Sequence, residues 1–264
     1  MDTDLDLSIC VVTRNRAESV LALLRSLYQT ADPVSFEAIV VANHSQDETA
    51  ELVASEYPGV ILYENTVREP FIKAQNRAIN LARGRYVSLI ADTFLLEAGC
   101  LLRLLSFLDK TPEAGIAGPK IIDPASGDVL PSARNFPTLL PLLYTAFSKE
   151  PMLSKSPWMR NYLLQDWDHN STREVGWLVG DFQIIRREVI DDIGLPDEGF
   201  PGMFADTDYC RRARKRGWHI YYVHDAVASC PLPNAGFTAA RDDAHRSPVA
   251  CAVRYALKRL FNSS

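Results

Sequence analysis

The chain has 264 residues, 47% of them apolar and 23% charged, with a formal net charge of −5. This balance excludes a disordered chain, and the absence of excess positive charge excludes a protein built to coat nucleic acid. The five cysteines (Cys10, Cys100, Cys210, Cys230 and Cys251) are odd in number and form no Cys-x-x-Cys pair, so reduced, buried thiols are expected rather than a disulfide framework.

The first half alternates strand and helix signals. Leu7 to Val12 is a short apolar, β-branched run, and Val20, Leu23, Leu24, Leu27 and Tyr28 then fall on one helical face. Asn15 with Glu18, and Ser45 with Glu48, read as capping boxes for two helices. Strands are predicted at Glu37 to Val41, Val60 to Tyr63 and Tyr86 to Ile90, with a helix from about Ile72 to Arg83. From Pro119 to Val175 the pattern is irregular and reads as an excursion over the sheet, not as a separate domain. Strand signals return at Trp177 to Ile185 and Trp218 to Val223, with helices from Arg187 to Ile193 and from Asp206 toward Gly217. The whole predicts one α/β domain over residues 1–264, with a mostly parallel sheet covered by helices on both faces.

Ligands of such sheets lie beyond the carboxyl ends of the strands. Three polar stretches fall there: Thr13-Arg14-Asn15, Asn43-His44-Ser45 and Asp92-Thr93. None is the G-x-G-x-x-G turn of a dinucleotide fold, and no phosphate-binding Walker sequence occurs. Asp92 reads either as a turn carboxylate or as a contact to a divalent cation and a diphosphate. Asp206 and Asp208 open a helix, where acidic residues are favoured by the dipole and where a carboxylate can also serve as general base. Trp177, near Gly180, reads as core or as a platform for a sugar ring.

Taken in order, these stretches resemble the family 2 inverting glycosyltransferases of GT-A fold, in particular their rhamnosyltransferase-like bacterial group. Ile9 to Arg16 is similar to the family's first strand and turn, and Val40-Val41-Ala42-Asn43-His44-Ser45-Gln46-Asp47 to its V-V-D-N-x-S-x-D element. Trp177-Leu178-Val179-Gly180, Ile185-Arg186-Arg187, Asp197-Glu198 and Ala205-Asp206-Thr207-Asp208-Tyr209-Cys210 resemble W-x-x-G, I-R-R, D-E and E-D-x-D-L-C. The resemblance implies Asp206 as catalytic base and Asp92 as the carboxylate for Mg²⁺ or Mn²⁺. It also implies Thr13, Arg14, Asn43 and Ser45 around the nucleotide of the donor, and Trp177, Gly180 and Asp208 on the side of a glycan or lipid-linked acceptor.

The chain departs from that pattern at Ala42, Ala91, Pro70, Ala205 and Cys230. Ala42 lacks the aspartate expected at the nucleobase, Ala91 accompanies a single carboxylate, and Cys230 stands where a late histidine is expected. A degenerate member that binds nucleotide, glycan or a partner protein without catalysis is therefore the rival reading. A nucleotidyltransferase would want a glycine-rich turn after the first strand, which Thr13-Arg14-Asn15-Arg16 is not. The acidic N-terminus carries no leader pattern and Phe136 to Phe147 is too short to span a bilayer, so a cytoplasmic location is expected. A helix over residues 249–261, with Val253, Leu257, Leu260 and Phe261 on one stripe beside Arg254, Lys258 and Arg259, suggests peripheral contact with an anionic membrane.

Overall fold

The computed structural model describes residues 5–30, 33–147, 156–200, 204–231 and 248–261. The alternation expected of the first half is present as β1 (Leu7–Thr13), α1 (Ala17–Thr30), β2 (Phe36–Ala42), α2 (Thr49–Glu56), β3 (Ile61–Glu64), α3 (Phe71–Leu81) and β4 (Tyr86–Ile90). β1 is buried at all seven positions, as a central strand covered on both faces must be. Its side chains alternate between two cores. Leu7, Ile9 and Val11 meet the buried leucines of α1, whereas Cys10 and Val12 meet Phe71, Ile72 and Ala78 of α3.

The second half completes the same sheet. β5 (Leu95–Leu96), α4 (Cys100–Lys110) and β6 (Ala114–Ile122) lead into the excursion, which holds β7 (Val129–Leu130), β8 (Ala133–Arg134), α5 (Leu139–Phe147), α6 (Pro157–Tyr162) and β9 (Arg173–Glu174). β10 (Trp177–Leu178), β11 (Phe182–Arg186), α7 (Arg187–Ile193), α8 (Ala205–Lys215), β12 (His219–Ser229) and α9 (Pro248–Phe261) follow. The strand order is β3-β2-β1-β4-β11-β6-β12-β5. Neighbours pair in parallel from β3 to β4 and again between β6 and β12, while β11 runs antiparallel to both β4 and β6.

Tight contacts hold the strand starts. Gly84 lies so close to β1 that an added Cβ would sit 2.6 Å from the Ser8 backbone nitrogen, and its N–H donates to Ser8 Oγ at 2.7 Å. Arg186 and Arg187 stitch the sheet to helix ends: Arg186 donates to the Leu108 carbonyl at 2.6 Å and Arg187 to the Gly84 carbonyl at 2.7 Å. The I-R-R stretch is thus structural.

The structure corrects several local expectations. Neither capping box forms. Asn15 and Ser45 bond between two loops, and α2 begins at Thr49, whose N–H and hydroxyl both donate to Asp47 Oδ1. α3 stops at Leu81 instead of Arg83, because Arg83 and Gly84 give their N–H groups to Ser8 Oγ. β12 runs six residues past Val223, since pairing with β6 resumes after a register shift and β5 adds a partner on its other side. All five cysteines are buried thiols outside any disulfide, as expected.

Candidate active site

The carboxyl ends of β1, β2 and β4 form one edge. Thr13 closes β1, fully buried, and its hydroxyl donates to Asp92 Oδ2 at 2.7 Å. Asp92 is 1% exposed, two residues beyond the end of β4. Its other oxygen, Oδ1, accepts no hydrogen bond among the described residues and lies 3.8 Å from Arg16 Nη1. Burial pushes the Asp92 carboxyl above its usual range, against the Thr13 hydroxyl and the Arg16 charge, which favour ionisation. Arg14, half-buried, follows Thr13 on the same turn.

The turns after β1 and β2 are locked together. Asn15 and His44 both take left-handed backbone conformations, with φ of 50° and 60°. The Asn15 N–H donates to Ser45 Oγ at 3.2 Å, and Asn15 Oδ1 accepts the Gln46 N–H at 2.7 Å. Asn43, expected at the nucleotide, faces inward instead. Its amide donates to the Glu69 carbonyl at 2.8 Å, and its Oδ1 accepts from Asn65 at 2.9 Å and from the Glu69 N–H at 3.0 Å. With these bonds made, Asn43 is a staple between the β2 and β3 ends.

The opposite wall is the entry to β11. Asp206 sits in the first turn of α8, 8% exposed. Its Oδ2 accepts the Gly180 N–H at 2.9 Å and its Oδ1 the Thr207 N–H at 2.9 Å. Gly180, expected on the acceptor side, thus lies against the Asp206 carboxylate. The next residue, Asp181, is 3% exposed, and its carbonyl accepts the Ala91 N–H at 2.7 Å. Through Gly180-Asp181 the backbone links the Asp92 turn directly to Asp206. Phe204, just before α8, holds a left-handed φ of 70°, a strained choice for a phenylalanine, and its ring stacks on Tyr255 of α9 at 5.4 Å.

Two expected acceptor contacts lie elsewhere. Trp177 is 5% exposed within the core, its indole N–H donates to the Asn135 carbonyl at 2.9 Å, and Arg134 lies over its ring. Asp208 turns away toward α9, where its Oδ2 accepts from Arg212 at 3.1 Å and Lys258 at 2.9 Å. Lys258 also donates to Asp197 Oδ2 at 2.7 Å, which Arg254 joins at 3.1 Å. Burial alone would raise Asp197, but Lys258, the Gly199 N–H and Arg254 outweigh it and hold the carboxyl well below the usual range. The basic residues Arg254 and Lys258 of the expected membrane stripe therefore face their own domain, while Val253 and Leu257 are exposed. The side chains of Arg259, Leu260 and Phe261 lie outside the described residues, as do Pro201 and Gly202 of the loop before α8.

Reading the sequence missed Arg16 and Asp181 as members of this edge. Arg16 stands three residues after Thr13 and Asp181 directly follows Gly180, so adjacency to expected site residues was the available signal. At this edge Asp92 offers an oxygen donor for a divalent cation, its Oδ1 being buried without a hydrogen-bond donor among the described residues. β12 ends with Ser229 opposite Leu95, which carries Cys230 to the turn after Asp92, but the Cys230 thiol is buried in the apolar core. Among the described residues no group of three or more His, Cys, Asp or Glu side chains could hold a metal. Asp92 therefore fits a cation that takes its other ligands from a bound diphosphate.

Known proteins share this architecture. The family profile described as "Glycosyl transferase family 2" matches residues 8–194. An N-acetylglucosaminyl-diphospho-decaprenol L-rhamnosyltransferase of Mycobacterium tuberculosis is 31% identical over 232 residues, covering 83% of this chain and 74% of the relative. A mannosyltransferase of Pyrobaculum calidifontis, solved with GDP-mannose and Mn²⁺, superposes with a TM-score of 0.63 at 19% identity over 96% of this chain and 67% of its own. TarS of S. aureus superposes at 0.59 and 19% identity, over 87% of this chain and 61% of the TarS fragment. The fold is that of the GT-A glycosyltransferases, and the chain belongs to glycosyl transferase family 2.

Proposed function

We propose that this glycosyltransferase takes a sugar from a nucleotide-sugar donor seated over the ends of β1, β2 and β4. The acceptor is a hydroxyl of a glycan or lipid-linked glycan in bacterial surface polysaccharide assembly. The observation that carries the reading is Asp206, buried in the first turn of α8 and tied through Gly180-Asp181 to the turn that bears Asp92. In the reaction the acceptor hydroxyl oxygen attacks the anomeric carbon from the face opposite the diphosphate. Asp206 takes the hydroxyl proton, the glycosidic C–O bond to the diphosphate breaks, and its electron pair leaves with the nucleoside diphosphate; configuration inverts. Asp92 would hold Mg²⁺ or Mn²⁺, which when bound supplies charge neutralisation to the departing diphosphate. Thr13 orients Asp92, and Asn15 with Ser45 shapes the nucleotide turn.

The related rhamnosyltransferase is named for a decaprenol-linked acceptor. That supports a lipid-linked acceptor here, and with it work at the cytoplasmic face of a membrane. Val253 and Leu257 on α9 and Leu139 and Leu140 on α5, helices that pack on each other, offer an exposed apolar surface for such contact. No described helix is long and apolar enough to cross a membrane.

The test pairs a thermal-shift panel of nucleotide sugars with product detection by mass spectrometry on a lipid-linked acceptor. Stabilisation by one donor and a mass gain of one sugar are expected. Stabilisation with no transfer to any acceptor, unchanged by Asp206→Asn, would favour the non-catalytic reading that Ala42, Ala91 and Cys230 motivate.

A further inference from the structure

We infer that Tyr255 of α9 is a positioning residue for Asp206: its ring holds Phe204 in a left-handed conformation, and that conformation sets the first turn of α8. This rests on the reading of Asp206 as the base. Phe204 is the last residue before α8, with φ 70° and ψ −2°. A Cβ makes this region costly, whereas glycine enters it freely. From that conformation the Phe204 carbonyl accepts the Asp208 N–H at 2.8 Å, the hydrogen bond that opens α8 and encloses Asp206.

What holds the phenylalanine there comes from the far end of the chain. The Phe204 and Tyr255 rings are both buried and stack at 5.4 Å with 21° between their planes. Arg211 of α8 places its guanidinium 5.9 Å from the centre of the same Tyr255 ring. The neighbours of Tyr255 on α9 extend the grip. Arg254 and Lys258 each lie 5.2 Å from the centre of the buried Phe200 ring, and Lys258 also bonds Asp208. α9 therefore holds the chain on both sides of Asp206, at Phe204 before it and at Asp208 after it. Two rings can stack in a core without backbone strain, so strain kept beside the base is what points to a positioning role. Without the Tyr255 ring, Phe204 relaxes to a negative φ and the first turn of α8 rotates. Asp206 then leaves the Gly180 N–H, its partner at 2.9 Å. A displacement of about 1 Å at a reacting group can cost on the order of a hundredfold in turnover while donor binding is untouched.

Hydrogen exchange at the Gly180 amide, followed by NMR and referred to the amides of β1, reads that bond without any ligand. Initial rates with the donor that the thermal-shift panel selects read turnover. Tyr255→Leu and Phe204→Ala should each speed Gly180 exchange at least about tenfold relative to β1, and lower kcat about ten- to a hundred-fold with donor KM unchanged. Tyr255→Phe, which keeps the ring, and Phe204→Gly, which needs no ring to hold a positive φ, should keep most of both. Phe204→Gly added to Tyr255→Leu should restore them. Phe204→Ala and Phe204→Gly leave nearly the same void, so their difference isolates backbone strain and stays readable if Tyr255→Leu does not fold. Gly180 exchange in Tyr255→Leu equal to that of the natural chain, or Phe204→Ala indistinguishable from Phe204→Gly, would overturn the inference and leave Asp206 as the base. Normal turnover of Asp206→Asn alongside the expected exchange pattern would remove the base, and with it the role of Tyr255.

Discussion

The backbone N–H of Gly180 donates to Asp206 Oδ2 at 2.9 Å, across a gap of 26 residues. With the Thr207 N–H on the other oxygen, it fixes the plane of the carboxylate. Asp206→Asn keeps an oxygen for Gly180 and loses the basic site. Turnover should fall ~10²–10⁴-fold with nucleotide affinity unchanged, as read from initial rates and titration. A variant within about threefold of the natural rate would take the base role away from Asp206.

Asp92→Asn separates stability from function. Because burial raises this carboxyl, the fold favours its protonated form. The group therefore supports folding fully below the ordinary carboxylate pKa, and that support is lost as pH rises through the shifted value. At pH 7 the asparagine variant should be as stable as the natural chain, or more so by about 1 kcal/mol, in urea unfolding. Its Mn²⁺-dependent nucleotide binding should fall at least tenfold. A loss of stability at pH 7 would contradict the sign.

Asn43→Ala removes three hydrogen bonds and strands the Glu69 N–H and the Asn65 amide. The expected result is a loss of about 2–4 kcal/mol in denaturant unfolding. Nucleotide affinity measured well below the melting temperature should stay near natural. If affinity falls and stability does not, Asn43 touches the nucleotide after all.

Lys258→Met probes the clamp of α9 on α8. The lysine bridges Asp197 and Asp208, and the Asp197 carboxyl is depressed by it. A depressed carboxyl contributes stability above its ordinary pKa, and the contribution is lost as pH falls through the lowered value. The variant should be about 1–2 kcal/mol less stable at pH 7, a figure discounted for the partial exposure of the pair. The difference should shrink below about pH 4. A gap that is constant down to pH 3 would mean the effect is packing, not charge.

Ala42→Asp addresses nucleotide choice. Ala42 ends β2 opposite Thr13, so an aspartate there adds an acceptor at the donor edge. We expect the natural chain to discriminate weakly among UDP, dTDP, GDP and ADP, and the variant to bind the pyrimidine diphosphates about ten- to a hundred-fold tighter. Selective pyrimidine binding by the natural chain, unimproved by the substitution, would end this reading.

The parts of the fold legible in sequence were those whose information is local. Continuous apolar strands, the helical spacing of Val20, Leu23, Leu24 and Leu27, and the order of the family stretches all survive in the structure. The misread residues have distant partners. Ser45-x-x-Glu48 has the spacing of a capping box, yet Ser45 serves Asn15, thirty residues earlier. Asp208 reads as a site carboxylate until Lys258, fifty residues later, reaches it. Trp177 goes to the core because Asn135, from the excursion, supplies the acceptor its indole needs. The length of β12 was hidden for the same reason, since β5 and β6 impose it.

The reversed strand β11 has a consequence for where this chain tolerates added length. Parallel strands bring only their carboxyl ends to the crevice edge. β11, reversed between β4 and β6, brings its amino end there, and with it the Gly180 and Asp181 peptides that meet Asp206 and Ala91. One residue inserted between Leu178 and Phe182 would shift those peptides off both partners, or flip every β11 side chain to the opposite core. Insertions in the turn over Asp123–Asp128, whose tip is exposed and whose backbone hydrogen bonds close within the turn itself, carry no such penalty. A scan of single-residue insertions should therefore find activity abolished at the entry to β11 and retained at the turn before β7.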